Sequence, residues 1–124
     1  MPTVLPARRL LPVLILGAIL LTACGGQDSA TLVAEARAMA AAGDYKTAII
    51  QLKNAVAEDD KNPEARYELG KLYLEQSDLA SAEKEFRHAR EAGYEENAVN
   101  PMIARALLGM GLIGMGLARR RAAR

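Results

Sequence analysis

Residues 44–57, DYKTAIIQLKNAVA, are answered 34 residues later by residues 78–91, DLASAEKEFRHARE. Asp44 aligns with Asp78, Ala48 with Ala82, Leu52 with Phe86 and Ala55 with Ala89, all at one offset. Two unrelated helices would share that phase only by accident, whereas a fixed period of about 34 residues marks a helical hairpin repeated along the chain. A single hairpin cannot bury its own apolar face, so the hairpins are expected to stack into a short α-solenoid.

Composition agrees with an all-α fold. Aromatic residues make up 4% of the 124 residues and Trp is absent, which is poor material for a β-sandwich, while abundant Ala suits closely packed helices. The formal charge of +1 hides an uneven distribution. Arg8 and Arg9 lie near the start and Arg119, Arg120, Arg121 and Arg124 near the end, leaving 10 basic against 15 acidic residues between them. An acidic middle is no footprint for nucleic acid. The single Cys excludes an internal disulfide and a cysteine-based zinc site, and neither a metal nor a cofactor is expected.

Arg8 and Arg9 precede an apolar run at residues 10–21, and the run ends in Leu21-Thr22-Ala23-Cys24-Gly25-Gly26. A charged start and a short apolar stretch read as a secretory signal helix rather than a spanning anchor. Leu-Thr-Ala-Cys resembles the bacterial lipobox. That resemblance implies cleavage after residue 23, acylation of Cys24 with diacylglycerol and fatty acids such as palmitate, and anchoring of the chain to a membrane in the cell envelope. Several acyl chains hold a protein where one is marginal. Gly25 is not the Asp that retains some such lipoproteins in the inner membrane, so the choice of membrane stays open. An ordinary signal peptide or signal anchor with an incidental Cys is the alternative. Residues 24–30 then form the tether, with a first hairpin at 31–62, a second at 63–96 and a partial third at 97–124.

Helical spacing begins at Leu32, Val33 and Ala36 and runs to Met39 and Ala40. Gly43 and Asp44 punctuate it, one suited to a left-handed C-terminal cap and the other to the next N-cap. The second helix is expected to bury Tyr45, Ala48, Ile49, Leu52, Ala55 and Val56. Pro63 suits the first turn of a third helix. Leu69-Gly70-x-x-Tyr73, followed by Ala82-x-x-x-Phe86 and Ala89, resembles the signature of the tetratricopeptide repeat (TPR). The resemblance implies that Gly70 and Ala82 let two helices close on each other while Tyr73 and Phe86 fill the space beside them. Arg66 stands where the family often has Trp, and Glu35 stands at the first repeat's counterpart of Leu69, so the first hairpin is expected to pack less well.

The phase continues into residues 97–111, with Ala104 matching Gly70, Leu107 matching Tyr73 and Gly111 matching Gly43. It then fails, since Leu112 replaces the Asp cap, Gly116 an Ala and Arg120 a core apolar residue. An array cut short, or one shifted out of frame in a longer protein, is the expected cause. Residues 106–118 are apolar but few, with four arginines behind them; contact with anionic lipid is one reading, but they are expected to pack on the stack or to be disordered, and not to span a membrane. Gly109-x-Gly111-x-x-Gly114 formally matches a dinucleotide fingerprint, but it follows a helix instead of a strand. His88, the one histidine, reads as a solvated surface residue. No nucleophile–base pair or phosphate loop is present, and the chain does not read as an enzyme.

Arg37, Lys71 and Arg105 form a column at 34-residue spacing, each directly after the small residue of a first helix. First helices line the concave groove in TPR proteins, so the resemblance implies a basic ladder suited to a peptide carboxylate or an anionic glycan. Ordinary solvated helix cations are the alternative. The join of leader and repeats resembles the TPR-repeat lipoproteins of the PEP-CTERM/exosortase system (PrsT-like). It implies a membrane-anchored, protein-binding scaffold near exopolysaccharide production or surface-protein sorting. The other readings are an accessory factor for outer-membrane or pilus assembly, an enzyme subunit whose catalytic part is missing downstream, and a non-functional truncated fragment.

Overall fold

A side chain caps each of four helices. Asp28 accepts a hydrogen bond from the backbone N–H of Thr31 at 2.7 Å, Asp44 from Thr47 at 3.1 Å, Asn62 from Ala65 at 3.0 Å and Asp78 from Ser81 at 3.2 Å. Each satisfies an amide that the first turn of a helix leaves without a partner. The capped helices are α1 (Ser29–Ala41), α2 (Tyr45–Glu58), α3 (Pro63–Glu75) and α4 (Leu79–Glu91). The last helix, α5 (Glu96–Ala122), starts without a side-chain cap. These five helices come from a computed structural model that describes residues 27–123, and no strand occurs among the described residues. The expected signal helix, Cys24 and Arg124 lie outside them.

The hairpin turns are closed by left-handed residues. Gly43 (φ 84°), Ser77 (φ 60°) and Gly93 (φ 95°) come after α1, α3 and α4. In each turn the next N–H reaches back five residues, from Asp44 to Met39 at 3.0 Å, Asp78 to Tyr73 at 2.9 Å and Tyr94 to Ala89 at 2.9 Å. That bond absorbs a carbonyl the helix end would otherwise leave open.

Each helix packs against its neighbour in sequence, and α1 also touches α3. The stacked hairpins bury two apolar clusters. In the first, Leu32, Val33 and Ala36 of α1 and Ala48, Ile49, Leu52 and Ala55 of α2 meet Ala65, Leu69 and Leu72 of α3. In the second, Ala82, Phe86 and Ala89 of α4 meet Val99 and Ile103 of α5. Tyr73 is half-buried and packs against both. Phe86 is fully buried, and its ring lies so close to Gly70 that a Cβ there would sit 2.7 Å away. The absent side chain is what lets α3 and α4 close. Tyr67 tilts against Phe86 at 5.6 Å and stacks on Tyr94 at 4.3 Å, extending the second cluster toward its edge.

Four expectations need correction. Ser29 belongs to α1 rather than to a tether, because Asp28 starts the helix and the Ser29 hydroxyl donates to the Ala55 carbonyl at 2.9 Å. Tyr45 is 40% exposed instead of buried; it opens α2 directly after the turn, where no neighbouring helix covers it. Val56 is only half-buried. The largest difference lies at Gly111, which does not end a helix. A terminating glycine works together with the residue after it, and Leu112 offers neither a cap nor a break, so α5 runs on to Ala122. Residues 111–123 are neither packed on the stack nor irregular; they are helical up to Ala122 and exposed.

Glu35, the polar substitute in the first hairpin, is half-buried. It accepts hydrogen bonds from Gln27 at 2.7 Å and Gln51 at 3.2 Å. Arg66, where Trp is common, reaches Glu85 on α4 at 2.8 Å, with side chains 17% and 11% exposed. A polar pair thereby joins α3 to α4 where an aromatic ring would otherwise do so.

Candidate binding groove

The first helix α1 packs on α3, and α3 and α5 both border the second apolar cluster, so residues at one register position face a common groove. Arg37 of α1, Lys71 of α3 and Arg105 of α5 all line one open cavity of about 400 Å³, floored by Leu72, Leu74 and Met102. The three candidate cations are brought together, but they are not equivalent. Glu68 of α3 is buried, at 8% exposure. It accepts from Arg37 Nε at 3.1 Å and Nη2 at 2.9 Å, and it also meets Lys71 Nζ at 2.7 Å. Glu64 takes a further bond from Arg37 Nη2 at 2.6 Å.

Burial works to lower the pKa of Arg37, but its bonds to Glu68 and Glu64 outweigh that, and the pKa is raised. Arg37 therefore serves first as a clamp between α1 and α3. Lys71 is half-buried and also lies 5.4 Å from the centre of the Tyr67 ring. Arg105 is exposed and makes no ion pair among the described residues. Of the three, Arg105 is best placed to meet an incoming anion, with Lys71 beside it.

Glu64 and Glu68 were not among the candidates read from the sequence. The Glu68–Lys71 pair was open to view, since residues three apart share a helix face. The bonds to Arg37 needed the contact between α1 and α3, which no local spacing reveals. The remaining sequence candidates divide simply. Ala48, Leu52, Ala55, Leu69, Gly70, Ala82, Phe86 and Ala89 are buried and hold the scaffold together rather than face a ligand. Gly109, Gly111 and Gly114 sit inside α5, so no phosphate-cradling loop exists there. His88 is half-buried at the end of α4 with Glu91 at 3.6 Å. No metal-holding group of side chains occurs among the described residues.

Successive antiparallel helix pairs with a groove along their first helices define a helical-repeat solenoid, a class whose surface is built for holding other chains. A family model for the tetratricopeptide repeat matches residues 39–111. The chain belongs to the tetratricopeptide-repeat family, whose members are generally non-enzymatic scaffolds for protein–protein interaction. No curated protein matches the chain.

Proposed function

We propose that this chain is an envelope lipoprotein that holds an acidic segment of a partner protein in the groove while acylated Cys24 holds the scaffold at a membrane. The observation that carries the groove is the convergence of Arg37, Lys71 and Arg105 from three helices on one cavity. Its apolar floor of Leu72, Leu74 and Met102 suits peptide side chains better than a glycan, while Arg105 and Lys71 suit a carboxylate. The leader ending in Leu21-Thr22-Ala23-Cys24 supports the anchor. The resemblance to PrsT-like lipoproteins of the exosortase system supports a place near exopolysaccharide production or surface-protein sorting.

Charge reversal at Lys71 and Arg105 together tests the groove. An array of acidic peptides with free C-terminal carboxylates should bind the full chain in a salt-sensitive manner, and Lys71→Glu with Arg105→Glu should abolish that binding. Binding that survives the double substitution, or ignores salt, would overturn the groove reading. Fatty-acid labelling tests the anchor separately, because Cys24→Ala should remove all label; label retained in that variant would overturn lipidation.

A further inference from the structure

Helix α5 leaves the domain part-way along its length. Among its glycines, Gly109 is the last near the domain, a Cβ there lying 2.6 Å from the Leu79 side chain; at Gly111, Gly114 and Gly116 a Cβ would meet nothing within 4 Å, and every described residue from 111 on is exposed. Leu107, Leu108, Leu112, Ile113, Met115 and Leu117 are 45% to 68% exposed. Residues 106–118 contain no charged or polar side chain, and at 100° per residue those six large groups surround the helix instead of forming one stripe. A helix apolar on all sides belongs in a protein core or in lipid. α5 is also long and apolar enough by length and composition to cross a membrane.

Water is a poor medium for this segment. Each of its four glycines costs about 1 kcal/mol against Ala in a helix, and a short helix without packing is marginal in any case. Hydrocarbon reverses the balance, because an unpaired backbone amide there costs more than the helix does. Directly behind the apolar stretch stand Arg119, Arg120 and Arg121.

That charge distinguishes lipid from a second copy of the chain. Two apolar stretches aligned in parallel would set the three arginines side by side. Aligned antiparallel about Leu112, they would place Arg119 of each copy beside Arg105 of the other. Sliding the pair until Arg119 meets Glu96 would move Leu112 and Ile113 onto Ile103 and Met102 and bring Met115 against Asn100, losing the shared apolar contact. Anionic headgroups suit the same arginines without conflict.

We propose that residues 111–118, which are exposed throughout, insert into an anionic lipid bilayer, with Arg119, Arg120 and Arg121 reaching back to lipid phosphates. At 1.5 Å per residue the stretch covers about 12 Å, far less than the roughly 30 Å of a hydrocarbon core, so it beds into one leaflet close to the headgroups. This contact is independent of acylation at Cys24.

The chain contains no Trp, so one introduced in α5 reports on that site alone. The full chain carrying Cys24→Ala and Leu112→Trp would be mixed with phosphatidylglycerol–phosphatidylcholine vesicles bearing brominated acyl chains. The expected result is blue-shifted emission quenched by bromine. Exchanging Arg119, Arg120 and Arg121 together for Gln should weaken insertion by about 100-fold, at about 1 kcal/mol per arginine. The apolar run at residues 10–21 could carry the chain to vesicles on its own, but emission that then stayed water-like at position 112 would overturn the proposal. So would a blue shift that grows with protein concentration in the absence of lipid, which would identify a second copy as the occupant.

Discussion

Ser77 is the only non-glycine among the described residues with a positive φ, at 60°. It stands 34 residues after Gly43, whose φ is 84°, and closes the same turn. An L side chain in that region costs about 1–2 kcal/mol, while a Gly there gives the unfolded chain extra freedom worth about 0.4–1 kcal/mol. The strain outweighs that freedom. Ser77→Gly should therefore stabilise the fold by about 0.5–1 kcal/mol, read as a higher urea midpoint at unchanged slope. An unchanged or lower midpoint would mean that the turn relaxes around Ser77 without strain. The same position shows a limit of sequence reading. Gly43 could be read as a left-handed cap from the sequence, whereas the same demand at Ser77, 34 residues on, became visible only with the backbone.

At the scale of helices, starts and stops behave differently. N-caps are local, because one side chain meets an amide three residues on, and so Asp44 and the Pro63 start could be read directly. The Asp44 carboxyl is held below its ordinary pKa by the Thr47 hydroxyl and N–H, and the Asp28 carboxyl likewise by Thr31. A folded pKa below the unfolded one gives stability that is full above the ordinary Asp value near about 3.9 and is lost as pH falls through the lower folded value. Acid titration of helicity should accordingly lose an inflection below about pH 4 in Asp28→Asn with Asp44→Asn; a superimposable titration would remove the caps as its source. The end of α5 was hidden from the sequence because Gly111 keeps the register of a terminator without a capping residue after it. In water its glycines should weaken the outer half of the helix. Gly111→Ala, Gly114→Ala and Gly116→Ala meet no neighbour, and each should favour helix by about 1 kcal/mol. Far-ultraviolet ellipticity without lipid should then increase. An unchanged signal would indicate that the segment is already fully helical in solution.

Across the whole molecule, the architecture was legible because a TPR repeats its small and large positions in sequence, and Ala48, Leu52, Ala82 and Phe86 carry that pattern openly. The coupling between repeats was not, because Arg37–Glu68 and the docking of Val99 and Ile103 on α4 depend on which helices become neighbours. A solenoid is held by such nearest-neighbour contacts, and its cooperativity is only as strong as the weakest of them. Here the two apolar clusters share Tyr73, which packs against Leu-rich α1–α3 on one side and the Phe86 cluster on the other. Truncation at this position should therefore do more than leave a cavity. Tyr73→Ala should destabilise by about 2–4 kcal/mol, within the range for large-to-small core changes and below that for a fully buried ring. It should also lower the apparent slope of urea unfolding, since the first hairpin and the α4–α5 unit would begin to melt apart. Hydrogen exchange should then separate, with amides of α4 and α5 opening at a different free energy from those of α1 and α2. If the midpoint alone moves while slope and exchange pattern remain those of the parent chain, the Arg37–Glu68 clamp and the covalent α3 helix are sufficient to couple the hairpins, and Tyr73 acts only as filler.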